Sequence, residues 1–125
     1  MFGQGASSSG GADTLAPILS GQTVGNITSD GGVPAVTTDE NNGRVYMVVV
    51  ANGDAPSVAQ IKAGQQSSGA AANAAENKNV GSPGVQTFTA VTGLSAATAY
   101  DVWFVHMDMA FNNSTAVKAD FTTSA

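Results

Sequence analysis

Apolar residues gather in short runs along this chain, most densely at residues 44–50 (RVYMVVV) and 100–109 (YDVWFVHMDM). A period of two puts successive side chains on opposite faces of an extended strand, whereas a helix repeats its apolar positions every three to four residues. The pattern predicts strands at 17–24, 33–38, 44–50, 85–91, 100–109 and 116–123. The strongest is 44–50, β-branched or aromatic at five of its seven positions. Pro17 has no backbone N–H to give to a ladder and fits an edge strand. Asp39-Glu40-Asn41-Asn42-Gly43 reads as a turn, its Asn-Gly supplying the positive φ of a tight reversal. Ser57-Val58-Ala59-Gln60 has the S-x-x-Q form of a capping box, and Gly64 can end the two-turn helix that it starts. Residues 65–83 are rich in Ala, Asn and Gly and leave strand, helix and loop open.

The strand from Tyr100 carries the clearest three-dimensional signal. Tyr100, Val102, Phe104 and His106 share one face, and Leu94 precedes them across a short polar turn. That is the layout of a tyrosine corner, in which the ring packs in a sandwich core and the hydroxyl reaches the backbone a few residues upstream. Phe88, Tyr100, Val102, Phe104 and Phe121 are therefore the expected large core residues. Alternation then sends Trp103, Val105 and Met107 outward. For 44–50 the reading places Tyr46, Val48 and Val50 inside and Val45, Met47 and Val49 outside. Six large apolar side chains would lie on the outer face of one sheet, where polar residues are usual. Three explanations stand: residues 56–83 fold over that face as a second core, Val45, Met47, Val49, Trp103, Val105 and Met107 form a partner interface, or the face is simply exposed.

Leu94, Tyr100, Val102, Phe104, Asp108 and Asn112-Asn113-Ser114, with Thr37-Thr38-Asp39-Glu40 and the stretch from Ala55 to Gly64, resemble the fibronectin type III-like domains of phage virion proteins and bacterial surface proteins. The resemblance covers residues 13–125. It implies an all-β, seven-stranded fibronectin III/Ig-like sandwich with one short helix, and a small edge strand near residues 70–76. One sandwich fold hosts many tasks, so the resemblance speaks to fold more than to function.

Composition narrows the partners. The chain has 125 residues, enough to bury about two thirds of its unfolded surface around one core. Only 10% of residues are charged, and four Lys and Arg face nine Asp and Glu. The basic residues Arg44, Lys62, Lys78 and Lys118 are scattered, which argues against nucleic acid and against anionic membrane as partners. There is no cysteine, hence no disulfide or thiolate metal site. The start of the sequence lacks the basic and apolar regions of a secretory signal. With Met1 as the natural start, the expectation is synthesis in a bacterial cytoplasm without export.

Residues 1–12 stand apart as a Gly/Ser-rich arm with Phe2 as its only aromatic. Fully extended, such an arm reaches roughly 40 Å at about 3.4 Å per residue. It is expected to dock on a partner with Phe2 as anchor and Gln4, Ser7, Ser8 and Ser9 beside it. The alternative is a tail folded on its own domain.

Catalytic signals are weak. His106 and Asp108 lie two apart on one strand face, but no activated nucleophile accompanies them, and a hydrogen-bonded pair at a strand end is the expected reading. Asp39 with Glu40, or Asp101 with Asp108, form no carboxylate pair that sequence can place across a cleft. The 39–43 turn lacks the spacing of a calcium loop. Asn26-Ile27-Thr28 and the Asn112–Thr115 stretch fit glycosylation acceptors but read as Asn-rich turns without export. No cofactor and no metal are expected. The expectation is a non-enzymatic phage virion protein, a capsid decoration or cement protein held through its arm to a major capsid or tail protein and to lattice neighbours or copies of itself. A tail-associated part or a carbohydrate- or host-surface-binding module is the alternative, with Trp103 and Phe111 the exposed aromatics for sugar stacking.

Overall fold

The computed structural model describes residues 14–125; the proposed anchors Phe2, Gln4, Ser7, Ser8 and Ser9 lie outside them. Seven strands and one helix follow in the order β1 (Leu19–Gly25), β2 (Val33–Thr38), β3 (Arg44–Ala51), α1 (Val58–Ala63), β4 (Ala74–Asn79), β5 (Gly84–Thr87), β6 (Ala99–Met107) and β7 (Val117–Thr122). A three-stranded sheet, β1-β2-β5, faces a four-stranded sheet, β4-β3-β6-β7, and every pairing is antiparallel. The architecture is an all-β, two-sheet, Ig-like sandwich.

The principal core lies between the sheets and contains all five expected large residues, Phe88, Tyr100, Val102, Phe104 and Phe121. Phe88 packs against Phe104 and Tyr100 against Phe121, each pair with ring centroids 5.9 Å apart. The tyrosine corner forms as expected. Tyr100 is buried, and its hydroxyl accepts the Ser95 N–H at 2.9 Å, fixing the turn that enters β6. Helix α1 also follows its sequence signature. Ser57 Oγ accepts from Gln60 N–H at 3.1 Å, the Gln60 side chain accepts from Ser57 N–H at 2.9 Å, and Gly64 closes the helix in the left-handed region.

The outward assignment of β3 is corrected by the register. Val45 lies opposite His106, Met47 opposite Phe104 and Val49 opposite Val102. Directly paired residues of neighbouring strands share a face, so the inward phase of β6 forces Val45, Met47 and Val49 into the inter-sheet core, where all three are buried. Tyr46, Val48 and Val50, expected inside, lie on the opposite face instead. From Val45 to Val50 β3 is apolar on both faces, so Arg44 at its start is the one polar position in the strand that could set the phase.

That opposite face is covered from within the chain. Val48, Val50, Ile61 and Val105 form a second buried cluster, with Tyr46, Val58, Ala72, Trp103 and Ala116 packed around it. Ile61 is the residue that α1 inserts. Removing four aliphatic side chains from water is worth about 6–12 kcal/mol before conformational entropy is counted. Trp103 is tied into the same cover, its indole N–H donating to the Asp54 carbonyl at 3.0 Å.

Several strand limits also move: β1 begins at Leu19, so that Pro17 precedes it, and β6 ends at Met107 instead of residue 109. The edge strand β4 begins four residues later than the resemblance suggested, and β5 stops at Thr87 instead of reaching Val91. Phe88 and Val91 nevertheless remain buried, and Val91 joins Gly32 as an isolated bridge.

Candidate functional site

The 39–43 turn, the 79–84 connection and the 108–116 loop meet at one end of the sandwich, where β2, β4 and β6 finish and β3, β5 and β7 begin. The tight turn is built as its Asn-Gly predicts, with Asn42 at φ 70° and Gly43 at φ 72°. Gly43 is required sterically as well, since a Cβ there would lie 2.1 Å from the Met107 carbonyl oxygen.

His106 locks the turn from beneath. Its Nε2 is 2.8 Å from the Asn42 carbonyl oxygen and its Nδ1 is 2.7 Å from Thr38 Oγ1. A carbonyl oxygen only accepts, so Nε2 carries the proton and Nδ1 accepts from the Thr38 hydroxyl. The ring is fully buried, and burial pushes its pKa below the ordinary 6.5, against opposing effects of the Asn42 hydrogen bond, Asp108 and Asp39. His106 is thus a neutral structural brace. The expected His106–Asp108 hydrogen-bonded pair resolves into two separate braces.

Asp108 organises the following loop. Its Oδ1 accepts from the N–H groups of Ala110 and Asn112, both at 2.9 Å, and its Oδ2 accepts from Asn112 Nδ2 at 3.1 Å. This Asx-type turn, closed by Phe111 N–H to the Asp108 carbonyl at 3.0 Å, holds Phe111 at φ 68°. A bulky residue in the left-handed region is a backbone outlier, and such strain concentrates at functional positions. Phe111 is 77% exposed and Met109 71%.

Arg44, Tyr46, Asn79, Met107, Met109 and Phe111 line a cleft of about 340 Å³ at this end. Arg44 is oriented by Asn77, to whose side-chain oxygen its guanidinium donates. The segment leading into β1 enters at the same end. Ile18 N–H donates to Asp39 Oδ1 at 2.8 Å, and Asp39 N–H returns a bond to the Ile18 carbonyl at 3.2 Å. Leu15 and Ile18 are 71% and 66% exposed there.

Of the six residues expected on an outer sheet face, only Met107 lines this cleft; its sulfur also lies 3.5 Å from Lys62 Nζ. Val45, Met47 and Val49 fill the principal core, Val105 fills the second core, and Trp103 is half-buried beneath the 51–56 loop. Sequence reasoning missed Arg44, Tyr46, Asn79 and Met109. The available signal was the Asp108-to-Asn112 bracket, which turns the chain immediately after β6 and leaves Met109 and Phe111 off the strand faces.

A second polar cluster sits near the opposite end of β6. Lys118 Nζ lies 3.4 Å from Asp101 Oδ2 and 3.3 Å from Asp120 Oδ1. Hydrogen bonding within this cluster holds the Asp120 carboxyl below its ordinary value, and Asp120 in turn raises Lys118. Asp101 is fully buried; its Oδ2 also accepts from Gly53 N–H at 2.9 Å, while its Oδ1 has no hydrogen-bond partner. Among the described residues no group of three or more His, Cys, Asp or Glu could hold a metal ion, and no helix is long and apolar enough to cross a membrane.

Comparison with known protein families, curated proteins and solved structures finds none that matches this chain.

Proposed function

We propose that the chain is a non-enzymatic structural protein of a phage virion, a fibronectin type III-like sandwich that decorates or cements a capsid and attaches through residues 1–12. The observation that carries this reading is the coincidence, at one end of the sandwich, of the chain's entry into β1 with four exposed apolar residues, Leu15, Ile18, Met109 and Phe111. Exposed Met and aromatic side chains are what interface cores favour, and scattered charge suits a contact made by apolar and neutral polar groups. Buried His106 and Asp108 are both committed to holding loops, which leaves them in a scaffolding role. The resemblance to domains of phage virion proteins supplies the biological setting.

The test is a light-scattering mass of particles assembled without this chain, after mixing with three proteins. These are the full chain, a chain lacking residues 1–12, and Phe111→Asn, in which Asn tolerates the left-handed backbone while removing the ring. The expected result is lattice-like, stoichiometric binding of the full chain, with attachment lost in the shortened chain and weakened in Phe111→Asn. Saturation by the shortened chain at unchanged affinity would refute attachment through the arm.

One observation favours a second reading, a carbohydrate-binding module. Phe111 stands exposed over a cleft that also offers Arg44 and Asn79, a combination able to stack on a sugar face and bond its hydroxyls. A full chain that ignores particles, is retained on an immobilised glycan and loses retention on Phe111→Asn would establish that reading instead.

A further inference from the structure

The chain contains two Asn-Gly dipeptides, Asn42-Gly43 and Asn52-Gly53, and their surroundings differ chemically. Asn-Gly is the sequence most open to attack of a backbone nitrogen on the preceding side-chain amide, because glycine presents no Cβ to block the approach. In the first dipeptide the Asn42 side chain and both backbone carbonyls are held. Asn42 Oδ1 accepts from Met109 N–H at 3.0 Å, Nδ2 donates to Asn41 Oδ1 at 3.4 Å, and the carbonyl oxygen takes the His106 Nε2–H at 2.8 Å. The Gly43 carbonyl accepts from Val80 N–H at 3.1 Å, and the space where a Cβ would stand is filled by Met107.

The second dipeptide is open. Asn52 and Gly53 are exposed at the tip of a turn closed by one bond, Asp54 N–H to the Ala51 carbonyl at 3.0 Å. Gly53 has φ 91° and open space around it. No hydrogen bond holds the Asn52 carboxamide among the described residues. The nitrogen that must attack, Gly53 N, directs its hydrogen at Asp101 Oδ2, 2.9 Å away, on a buried carboxylate whose other oxygen is unbonded.

We infer that Asn52-Gly53 is a self-modifying site at which Asp101 takes the proton from the attacking Gly53 nitrogen. The new bond joins Gly53 N to the Asn52 side-chain carbonyl carbon, and the bond from that carbon to Nδ2 breaks. The amine leaves as ammonia, carrying the proton that Asp101 accepted. Water then opens the five-membered imide at either carbonyl. One opening gives aspartate at position 52; the other gives isoaspartate, with an extra methylene in the main chain. Either product adds one negative charge to the formal −5. The site sits at the base of the second core's cover: the next residue, Asp54, holds Trp103 Nε1–H through its carbonyl and Ser67 through its carboxylate. Isoaspartate at position 52 would therefore displace the loop that anchors this cover.

The experiment incubates the full chain at mildly alkaline pH, folded and in denaturing urea, and quantifies aspartate and isoaspartate at positions 42 and 52 by peptide mapping. In the folded chain position 52 is expected to react about tenfold or more faster than position 42, with the two rates converging in urea. Position 52 should react at least as fast folded as unfolded, because the turn presents the nitrogen to Asp101. Asp101→Asn, checked for retained fold by circular dichroism, should slow position 52 and leave position 42 unchanged. Equal rates at the two positions in the folded chain would overturn the inference. So would slower reaction at position 52 folded than in urea, a comparison that needs no variant, or an unchanged rate in folded Asp101→Asn.

Discussion

Ile61→Ala removes the one buried side chain that α1 places on the outer face of β3 and β6. Three carbons leave a position that is 1% exposed. At about 0.8 kcal/mol per buried carbon the transfer loss is about 2.4 kcal/mol, and the cavity left between Val48, Val50 and Val105 brings the expected total to about 3 kcal/mol, inside the usual range for such truncations. A chain of this size loses about 4 °C of Tm per kcal/mol, so the expected fall is about 12 °C. Urea unfolding should show a lower midpoint at unchanged slope, the signature of altered stability with the same surface exposed. Amide exchange separates a second core from a loosely laid flap. If the cluster is integral, exchange accelerates together at β3, β6 and α1; if α1 is only a flap, it accelerates at residues 56–72 alone. A Tm within about 2 °C of the parent, with exchange changed only at 56–72, would refute the claim that this sheet face is closed by the chain itself.

Other expectations follow from single contacts. Tyr100→Phe deletes the acceptor of the Ser95 N–H and should cost about 1–2 kcal/mol in urea unfolding; unchanged stability would mean that the corner does not depend on the hydroxyl. Gly31→Ala places a Cβ 1.6 Å from the Val91 carbonyl oxygen, a backbone atom, so the paired Gly32–Val91 bonds must shift, at a cost of about 1–3 kcal/mol; a variant as stable as the parent would contradict this close approach. His106 has a folded pKa below its unfolded value near 6.5, so the unfolded chain binds the proton more readily, and stability is present above about pH 6.5 and is lost as pH falls through that value. Urea midpoints measured downward from neutral pH should fall in the parent and stay flatter in His106→Gln. The depressed carboxylates Asp54 and Asp120, ordinarily near 3.8, act in a separate and more acidic window. Stability that rises from pH 7 to about pH 5.5 would refute the neutral, buried brace.

Local signals survived translation into structure wherever one short stretch held all the information. The tyrosine corner needs a turn and a Tyr at the start of a strand, and Leu94 to Tyr100 contains both. The capping box needs Ser57 and Gln60 on either side of one helical turn, and Gly64 ends it. The Asn42-Gly43 reversal and the inward face of β6 were readable for the same reason. The five aromatic and aliphatic residues named for the core from these patterns are all buried.

The face that β3 turns to the core was not readable, because Val45 to Val50 is apolar at every position and either phase satisfies alternation. Pairing with β6 decided it, through contacts more than fifty residues apart in sequence. The same register moved Val45, Met47 and Val49 from a supposed interface into the core, and α1 closed the face that remained. The apolar end of the sandwich is likewise a product of assembly: Tyr46 from β3, Asn79 from β4 and Phe111 after β6 become neighbours only when β4 and β6 pair on either side of β3. Sequence by itself determined strands, caps and turns, since those are fixed by backbone preferences and side-chain bonds within a few residues. Which faces meet and which side chains stay in water were decided by the tertiary structure, because burial is a property of pairs that the chain must first bring together.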